Sequence, residues 1–393
     1  MGTNTEQIFV ERPIVVDKET LICKFTCTPG IGATFRTDAY VTTYRGFDIS
    51  QTPESLLLIP LLGILAPIAW AADATIRIPT VDPVFFESLH KVRASFRELY
   101  PKMSWNGAIV PDAVAAPTNY PVHRPAVLFS GGVDSVASYI VHRNEDPVLV
   151  SALGRTPFHD LTEDVKLQYE QCKGFAGRNN ARFVPAITNL NRMLDATHLP
   201  LGMAWWQKVQ HGLAFLSLCA PISPIAGLHT VYLASTHTAD SKIPWGSHPA
   251  IDNNVAWAST VGNHDCYHLS RQQKLGLIAK YIEAEDPTLK FQICRRGPRH
   301  SNCSECGKCS RTMIGLATAG VDPNLHGFRL DKKRLENIRT QLTNRKFLSS
   351  ANNRFMWWDI QRHVPDQPKL AIEGLREFFA WFRKAEIDPS LGK

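Results

Sequence analysis

Short apolar runs alternate with helical segments through the middle of the chain. The runs are rich in β-branched and aromatic residues, which predicts strands at 126–129, 148–152, 181–187, 230–234 and 290–294. Between them, apolar residues recur at spacings of three and four, which predicts helices at about 133–143, 161–179, 205–218 and 269–283. Strands that alternate with helices favour an α/β fold with a doubly wound parallel sheet.

The two ends of the chain depart from this alternation. The front part has helical periodicity from 53 to 100 and a proline-rich connection after it, and it begins with predicted strands at 14–16, 21–27 and 40–44. The last residues, from 331 to 393, contain 13 lysines and arginines against 8 acidic residues. We therefore expect three parts, namely an α+β extension, a central domain and a helical basic C-terminal region, at 1–124, 125–320 and 321–393.

The composition is that of a globular protein. Of the 393 residues, 44% are hydrophobic and 20% are charged, which excludes a fibrous or disordered chain. The run 56–72 is uncharged and approaches the length of a membrane span, but Pro60 and Pro67 interrupt it and favour two short buried helices. The first residues lack the pattern of a secretory signal, so we expect a cytoplasmic protein without a membrane segment.

The turn after the first central strand has the composition of a phosphate-binding loop. It reads Ser-Gly-Gly-Val-Asp-Ser from Ser130 to Ser135. Gly131 and Gly132 lack a Cβ, so the backbone can approach an anion closely, and the helix predicted from Val133 directs its positive end to the same point. The sequence does not meet the Walker A pattern, so the turn is of a different phosphate-binding type.

Polar residues follow several of the predicted strands. In a parallel sheet, ligands bind outside the carboxyl ends of the strands, so these segments should face one crevice. They supply candidate substrate-binding residues with amide, hydroxyl, imidazole, indole and charged groups, namely Asn189, Arg192, Thr236, His237, Asp240, Lys242, Trp245 and His248. Arg271 and Lys274 lie three apart on one helical face and could neutralise phosphate charge. His211 is interpreted as a core histidine.

Four of the nine cysteines lie together as Cys294-x8-Cys303-x2-Cys306-x2-Cys309. Thiolates at two-residue intervals can converge on one ion, and four sulfur ligands leave no open position on tetrahedral zinc. The spacing therefore favours a structural zinc site. An iron–sulfur cluster and persulfide chemistry remain as alternatives, because the spacing alone does not separate zinc from iron.

The combination of S-G-G-x-D-S with C-x8-C-x2-C-x2-C resembles the PP-loop ATP pyrophosphatases, in particular the 7-cyano-7-deazaguanine synthase family, over about residues 125–320. The resemblance implies a sheet of the adenine-nucleotide alpha-hydrolase type. It implies that ATP activates a carboxylate as an adenylate and releases pyrophosphate, and that amide and then nitrile formation follow. ATP phosphates would be bound by Ser130, Gly131, Gly132, Asp134 and Ser135, with Mg²⁺ near Asp134, and zinc by Cys294, Cys303, Cys306 and Cys309. Apart from the resemblance, the helical spacing of Arg271 and Lys274 predicts that they act with Asp134 as catalytic residues.

The extension of about 120 residues and the tail of about 70 are absent from the short biosynthetic enzyme of that family. In this respect the chain is similar to larger relatives from bacterial anti-phage defence clusters. This similarity implies that the activated acid is a 7-deazapurine or is carried by a partner protein of the same gene cluster, and that the product is an amide, a nitrile or a conjugate.

Two other functions stay open at this point. One is thiolation of a nucleic-acid base, for which the basic tail with Trp357, Trp358 and Trp381 could stack on RNA. The other is a non-catalytic nucleotide-binding subunit of a defence complex. Within the tail, Phe378, Phe379 and Phe382 have near-helical spacing and are expected to be core residues.

Overall fold

The computed structural model describes residues 6–154, 162–240, 243–294, 296–297 and 301–388. The strands are β1 (Gln7–Val10), β2 (Ile14–Val16), β3 (Thr20–Cys27), β4 (Ala39–Tyr44), β5 (Thr75–Val81), β6 (Ala108–Val114), β7 (Arg124–Leu128), β8 (Val148–Leu153), β9 (Arg182–Thr188), β10 (Leu228–Ala234), β11 (Ala256–Trp257) and β12 (Thr260–Asp265). The helices are α1 (Pro29–Gly32), α2 (Glu54–Leu57), α3 (Ile59–Ala71), α4 (Pro83–Leu99), α5 (Val133–His142), α6 (Glu163–Arg178), α7 (His211–Ser217), α8 (Ser223–Ala226), α9 (Pro249–Asp252), α10 (Arg271–Ala284), α11 (Gly307–Thr318), α12 (Lys332–Thr343), α13 (Ala351–Gln361) and α14 (Leu375–Phe382).

The centre of the fold is a large, mostly parallel sheet, so the α/β class is confirmed. Its strand order is β11-β12-β10-β7-β8-β9-β4-β3-β1-β5-β6, and β2 pairs with β3. Five neighbouring strands, β12, β10, β7, β8 and β9, are parallel to one another. Within the sheet, β8 and β9 lie on one side of β7, whereas β10 and β12 lie on the other. The order reverses between β7 and β10, which is where doubly wound sheets bind their ligands.

The front of the chain continues the same sheet. β4 runs antiparallel to β9, with Thr42 opposite Thr188, and the two hydroxyls are hydrogen-bonded at 2.8 Å. These contacts join residues on the two sides of the predicted boundary at residue 124. The division of the chain into three parts stays a prediction. The expected helical region 53–100 is interrupted by β5, and the expected connection contains β6. Both strands belong to a parallel β1-β5-β6 group.

The predicted strand at 290–294 was wrong. Residues 290–294 have no strand hydrogen bonding, because their amides bond to loop groups instead: Phe291 N–H to the His326 carbonyl, and the Ile293 and Cys294 N–H groups to Asn302 Oδ1. The fifth parallel position belongs to β12. Its polar sequence Thr-Val-Gly-Asn-His-Asp lacks the usual apolar signal of a strand, and the side chains of Thr260, His264 and Asp265 form hydrogen bonds to distant segments.

The apolar run 56–72 is buried as expected, but Pro67 does not divide it, because one 13-residue helix contains both Pro60 and Pro67 and only the short α2 precedes it. α2 ends at Leu57 and α3 begins at Ile59, and every residue of α3 from Ile59 to Trp70 is buried. A second stretch, 202–226, is long and apolar enough to cross a membrane by length and composition, but 78% of its most apolar window is buried inside the protein. Such burial is typical of a core helix.

Of the C-terminal helices, α13 packs onto α10 and α11, and α12 packs against α14; all of them share one hydrophobic core with α10 and α11. Phe378, Phe379 and Phe382 are at most 4% exposed, so their assignment to the core is confirmed. Trp357 is fully buried and has no free face on which a base could stack. Guanidinium groups of this same chain cover the other two indoles, since Arg362 lies 4.5 Å from the Trp358 ring centroid and Arg339 lies 5.1 Å from that of Trp381.

Candidate functional site

The Ser130–Ser135 turn lies at the carboxyl end of β7 and leads into α5. Gly131 adopts φ +73°, a conformation that side-chain-bearing residues rarely adopt, and Gly132 precedes the first turn of the helix. The Ser135 hydroxyl closes the loop, because it accepts from the Ser130 N–H at 3.2 Å and donates to the Gly132 carbonyl at 3.1 Å. The apolar face of α5, with Val133 and Val136, is buried. The turn is therefore held in shape by its own side chains and by the core beneath it.

Two cations converge on the carboxylate of this turn. Arg271 Nη1 donates to Asp134 Oδ2 at 3.0 Å, and Lys274 Nζ lies 3.5 Å from Asp134 Oδ1. Both cations come from α10, whose first turn is fixed by a capping box between Ser270 and Gln273. The prediction that Arg271 and Lys274 share one face of a helix beside the turn is confirmed.

Lys274 is an unusual residue because its side chain is only 1% exposed. A buried ammonium group is costly unless it is paired and hydrogen-bonded. Its partners are Asp134 and both the carbonyl and the hydroxyl of Ser235, at 2.5 and 3.0 Å. Since Ser235 follows β10, Lys274 joins the two strand ends at which the order of the sheet reverses.

A third cation, Arg311 on α11, lies in the same region. Its side chain is 9% exposed, and its Nη1 donates to Asn353 Oδ1 at 2.8 Å. Burial, and then repulsion from Arg271, lower the pKa of Arg311 to about 10. Arg311 interacts with Cys306 of the cysteine cluster and also with Arg271 and Asp134, which no spacing along the chain indicates.

A cavity of about 230 Å³ opens between the ends of β7, β8 and β10. Its polar lining residues include Ser130, Asp134 and Ser135 of the turn, and its other lining residues are mostly apolar. Apolar walls with a few convergent polar groups are typical of small-molecule sites. The lining residues are Leu128, Phe129, Ser130, Asp134, Ser135, Val150, Ala152, His211, Phe215, Leu233, Ala234, Thr236 and Ser247.

Of the predicted substrate residues that follow β10, Thr236 lines this cavity directly. His237 and Trp245 lie beside it and contact each other edge to face, with ring centroids 4.9 Å apart. Asp240 is exposed, and His248 caps α9 by accepting the Ala250 N–H at 3.1 Å. Lys242 lies outside the described residues.

The two candidates that follow β9 lie elsewhere. Asn189 is 2% exposed, and its carboxamide bonds to the backbone of β4, accepting from Val41 N–H at 3.0 Å and donating to the Ala39 carbonyl at 2.8 Å. It therefore joins β4 to β9 rather than facing the cavity. Arg192 is exposed and lines a separate cavity of about 650 Å³ together with Arg36 and Trp206.

Sequence reasoning missed His211, Phe215 and Ser247 as cavity residues. His211 is half-buried and lines the cavity, so its interpretation as a core histidine is not confirmed; desolvation lowers its pKa. Ser247 donates to Asp252 at 2.5 Å, and Asp252 also holds His264 Nδ1 at 2.7 Å. The hydroxyl-rich sequence from Ser235 to His248 was the available signal for Ser247. The partners that fix it come from α9 and β12 and carry no local signal.

The buried His237 should make the stability of the folded protein depend on pH. The residue is 6% exposed, and neither ring nitrogen has a hydrogen-bond partner within the described ranges. Burial lowers the pKa of His237 to about 4, against smaller opposing effects of Asn352 and Asp134. Between about pH 6.5 and 4 the unfolded chain binds the proton and the folded protein does not, so stability falls as the pH falls.

We expect His237→Phe to reduce this loss by about 2 kcal/mol between pH 7 and pH 5, because the substitution removes the titrating group. Urea unfolding at the two pH values measures the difference. The matched control is His198→Phe, since His198 is exposed. An equal pH dependence in wild type and His237→Phe would show that His237 is not buried in its neutral form.

The four clustered cysteines converge as their spacing predicts. Their sulfur atoms all lie within 4.8 Å of one another, so the group could hold a metal ion such as zinc. Backbone N–H groups point at the sulfurs: that of Cys303 lies 3.2 Å from Cys294 Sγ, and that of Cys306 lies 3.2 Å from Cys303 Sγ. The hydrogen bond with Cys309 lowers the pKa of Cys306 to about 4. Donors of this kind favour the thiolate form that metals bind.

The cysteine cluster and the phosphate-loop candidate lie next to each other. Gln292, two residues before Cys294, donates its N–H to the Gly131 carbonyl at 3.1 Å. On the other side of the cluster, Thr312 on α11 lies 3.5 Å from Arg271 Nη2. The turn, the cations and the cysteines thus form one continuous region at the switch point of the sheet. Neither the models of protein families nor the curated proteins and solved structures compared with this chain gave a match.

Proposed function

We propose that the protein is a cytoplasmic ATP pyrophosphatase of the PP-loop type that adenylates a carboxylate and releases pyrophosphate. The observation that carries the proposal is the Ser130–Ser135 turn at the switch point of the sheet, where Asp134 lines the cavity and is contacted by Arg271 and Lys274. No cysteine of the described residues forms a disulfide, which agrees with a reducing compartment. The apolar lining residues suit the adenine ring, and the turn suits the phosphates.

In the proposed reaction, a carboxylate oxygen of the substrate attacks the α-phosphorus of ATP. The bond from that phosphorus to the bridging oxygen breaks, and pyrophosphate leaves with the electron pair. Negative charge grows on the leaving group, so the backbone of the turn and the cations of α10 would stabilise the transition state more than the ground state. Positioning and charge compensation are sufficient for this chemistry, and no side-chain nucleophile is required.

The second step transfers the acyl group. An amine or ammonia attacks the acyl carbon, the bond to AMP breaks, and the attacking nitrogen loses a proton. His211 lines the cavity and is held neutral by burial, so its imidazole could accept that proton. The product would be an amide or a conjugate, and a second activation of the amide would give a nitrile.

The residues present fit the two metals differently. Asp134 is the one carboxylate among the described residues that line the cavity, so Mg²⁺ would take its other oxygen ligands from phosphate and water. When bound, Mg²⁺ would add positive charge at the phosphate oxygens. Four thiolates complete a tetrahedral zinc site, so Cys294, Cys303, Cys306 and Cys309 would hold zinc in a structural role.

For the acid, we propose a 7-deazapurine-type carboxylate or a carboxylate on a partner protein in an anti-phage gene cluster, on the strength of the two motifs and the long additions to the chain. Thiolation of a nucleic-acid base is less well supported, because Trp357 is buried and arginines cover Trp358 and Trp381. Only a measurement of turnover distinguishes the enzyme from a non-catalytic nucleotide-binding subunit.

The test is exchange of labelled pyrophosphate into ATP, with AMP measured in parallel, in the presence of candidate deazapurine and protein acids. We expect acid-dependent exchange by the wild type and none by Asp134→Ala. Asp240→Ala is the control, since Asp240 is an exposed carboxylate that does not line the cavity. Absence of AMP with every acid, together with full activity of Asp134→Ala in cells, would contradict the proposal and favour a binding subunit.

A further inference from the structure

Two largely buried guanidinium groups beside the phosphate-loop candidate have N–H donors without acceptors among the described residues. The side chain of Arg271 is 14% exposed, and Arg311 is 9% exposed. In each of them the Nε is buried and has no acceptor within the described parts of the chain. A buried donor without an acceptor is costly, so the absence of a partner needs a reason.

The charges of this region are not balanced. Arg271, Lys274 and Arg311 surround Asp134, which interacts with all three of them. Three buried or half-buried cations around one carboxylate leave an excess of positive charge. An anion with several oxygens would remove this excess and would also supply acceptors for the two free Nε groups.

We propose that Arg271 and Arg311 form a binding site for a pyrophosphate-class oxyanion beside the Ser130–Ser135 turn, and that the cysteine cluster positions this site. The proposal rests on the proposed function in that pyrophosphate is the expected leaving group. A guanidinium group presents two parallel N–H donors that match two oxygens of a phosphate, which a lysine ammonium does not. Arg311 thus becomes a residue of the phosphate site.

The cluster controls the position of Arg311 through α11. Cys306 is the N-cap residue of this helix and makes no side-chain capping hydrogen bond. Cys309 lies in the first turn, and its sulfur is 3.4 Å from Cys294 Sγ. Arg311 follows two residues later, and Asn353 of α13 holds its Nη1 from the other side. A metal that ties Cys306 and Cys309 together would therefore fix the start of the helix that carries Arg311.

The segment that leads into Cys294 also contacts the Ser130–Ser135 turn. Besides its N–H bond to the Gly131 carbonyl, Gln292 donates its side-chain amide to the Cys294 carbonyl at 2.7 Å. This segment is further tied to the cluster by Asn302, which accepts from the Cys294 N–H at 3.1 Å. A metal that fixes the four sulfurs would therefore hold in place both the Ser130–Ser135 turn and Arg311, which are the groups next to the proposed anion site.

The first experiment measures binding of inorganic pyrophosphate to the full-length protein by isothermal titration calorimetry. We expect Arg311→Gln to weaken binding at least tenfold, and Arg311→Lys to recover part of the loss, because it restores the charge and not the paired donors. The control is Arg376→Gln, which removes the same charge from an exposed position on α14. Equal affinities of wild type and Arg311→Gln would overturn the site.

The second experiment removes the metal from the wild type and from Arg311→Gln with a chelator, and circular dichroism checks that the fold persists. We expect removal to weaken pyrophosphate binding by the wild type and to add little in Arg311→Gln, because the two changes act through the same residue. Equal further losses in both proteins, or global unfolding on chelation, would overturn positioning by the cluster. Pyrophosphate binding without any AMP formation would instead contradict the proposed function and leave this site in place.

Discussion

Lys274→Met is expected to lower the rate of AMP formation by about 10²-fold or more, the size of effect seen when one preorganised stabilising donor is removed from an active site. Lys274 is the buried cation that joins the carboxylate of the turn to the end of β10. Methionine preserves most of the side-chain volume, so packing around it should change little. The substitution leaves the buried Ser235 carbonyl without its donor, whereas Asp134 keeps its ion pair with Arg271, so we expect the Tm of the variant to fall by only a few degrees.

Lys280→Met is the matched control. It makes the same substitution on the same helix, but Lys280 is exposed. We expect it to retain the wild-type rate of AMP formation, measured under saturating ATP with the acid found by exchange. A full rate in Lys274→Met would show that this lysine only supports the structure. A fall in Tm that parallels the loss of rate would lead to the same conclusion.

Cys309→Ser is expected to remove the bound metal and to lower the Tm by about 10 °C. The figure follows from mass action: a ligand present at about 1,000 times its Kd stabilises by about 4 kcal/mol, and a domain of this size shifts by about 2–4 °C per kcal/mol. Cys309 is fully buried, and its sulfur lies against Cys294. Its replacement takes away a metal ligand and leaves three thiolates close together, with their negative charge not fully compensated.

The control for the metal is Cys27→Ser, a partly buried cysteine of β3 far along the chain from the cluster. We expect one zinc per chain in the wild type and in this control, measured by elemental analysis, and less than half an equivalent in Cys309→Ser. Iron in place of zinc would contradict the zinc assignment while keeping the metal site. Full zinc content in Cys309→Ser would contradict the four-cysteine site itself.

Local patterns predicted much of the central sheet and both motifs. The strands that become β7 and β8 are buried on both faces and those that become β9 and β10 are partly buried, so their apolar runs stand out from the surrounding sequence. Likewise, the turn and the cysteine cluster are short, contiguous sequences whose chemistry depends on residues a few positions apart. The same local signal failed for β12, whose polar residues are satisfied by contacts with distant segments, and for Lys290 to Cys294, whose amides bond to loops.

By itself, the sequence determined the phosphate-loop candidate, the helical face of Arg271 and Lys274, and the grouping of four cysteines. Only the tertiary structure decided that these three lie in one region, that Arg311 lies close to both Arg271 and the cysteine cluster, and that Asn189 joins two strands. The reason is physical. Spacing along a helix or turn fixes which side chains share a face, whereas contacts between segments more than a hundred residues apart depend on how the sheet orders its strands and what packs across it.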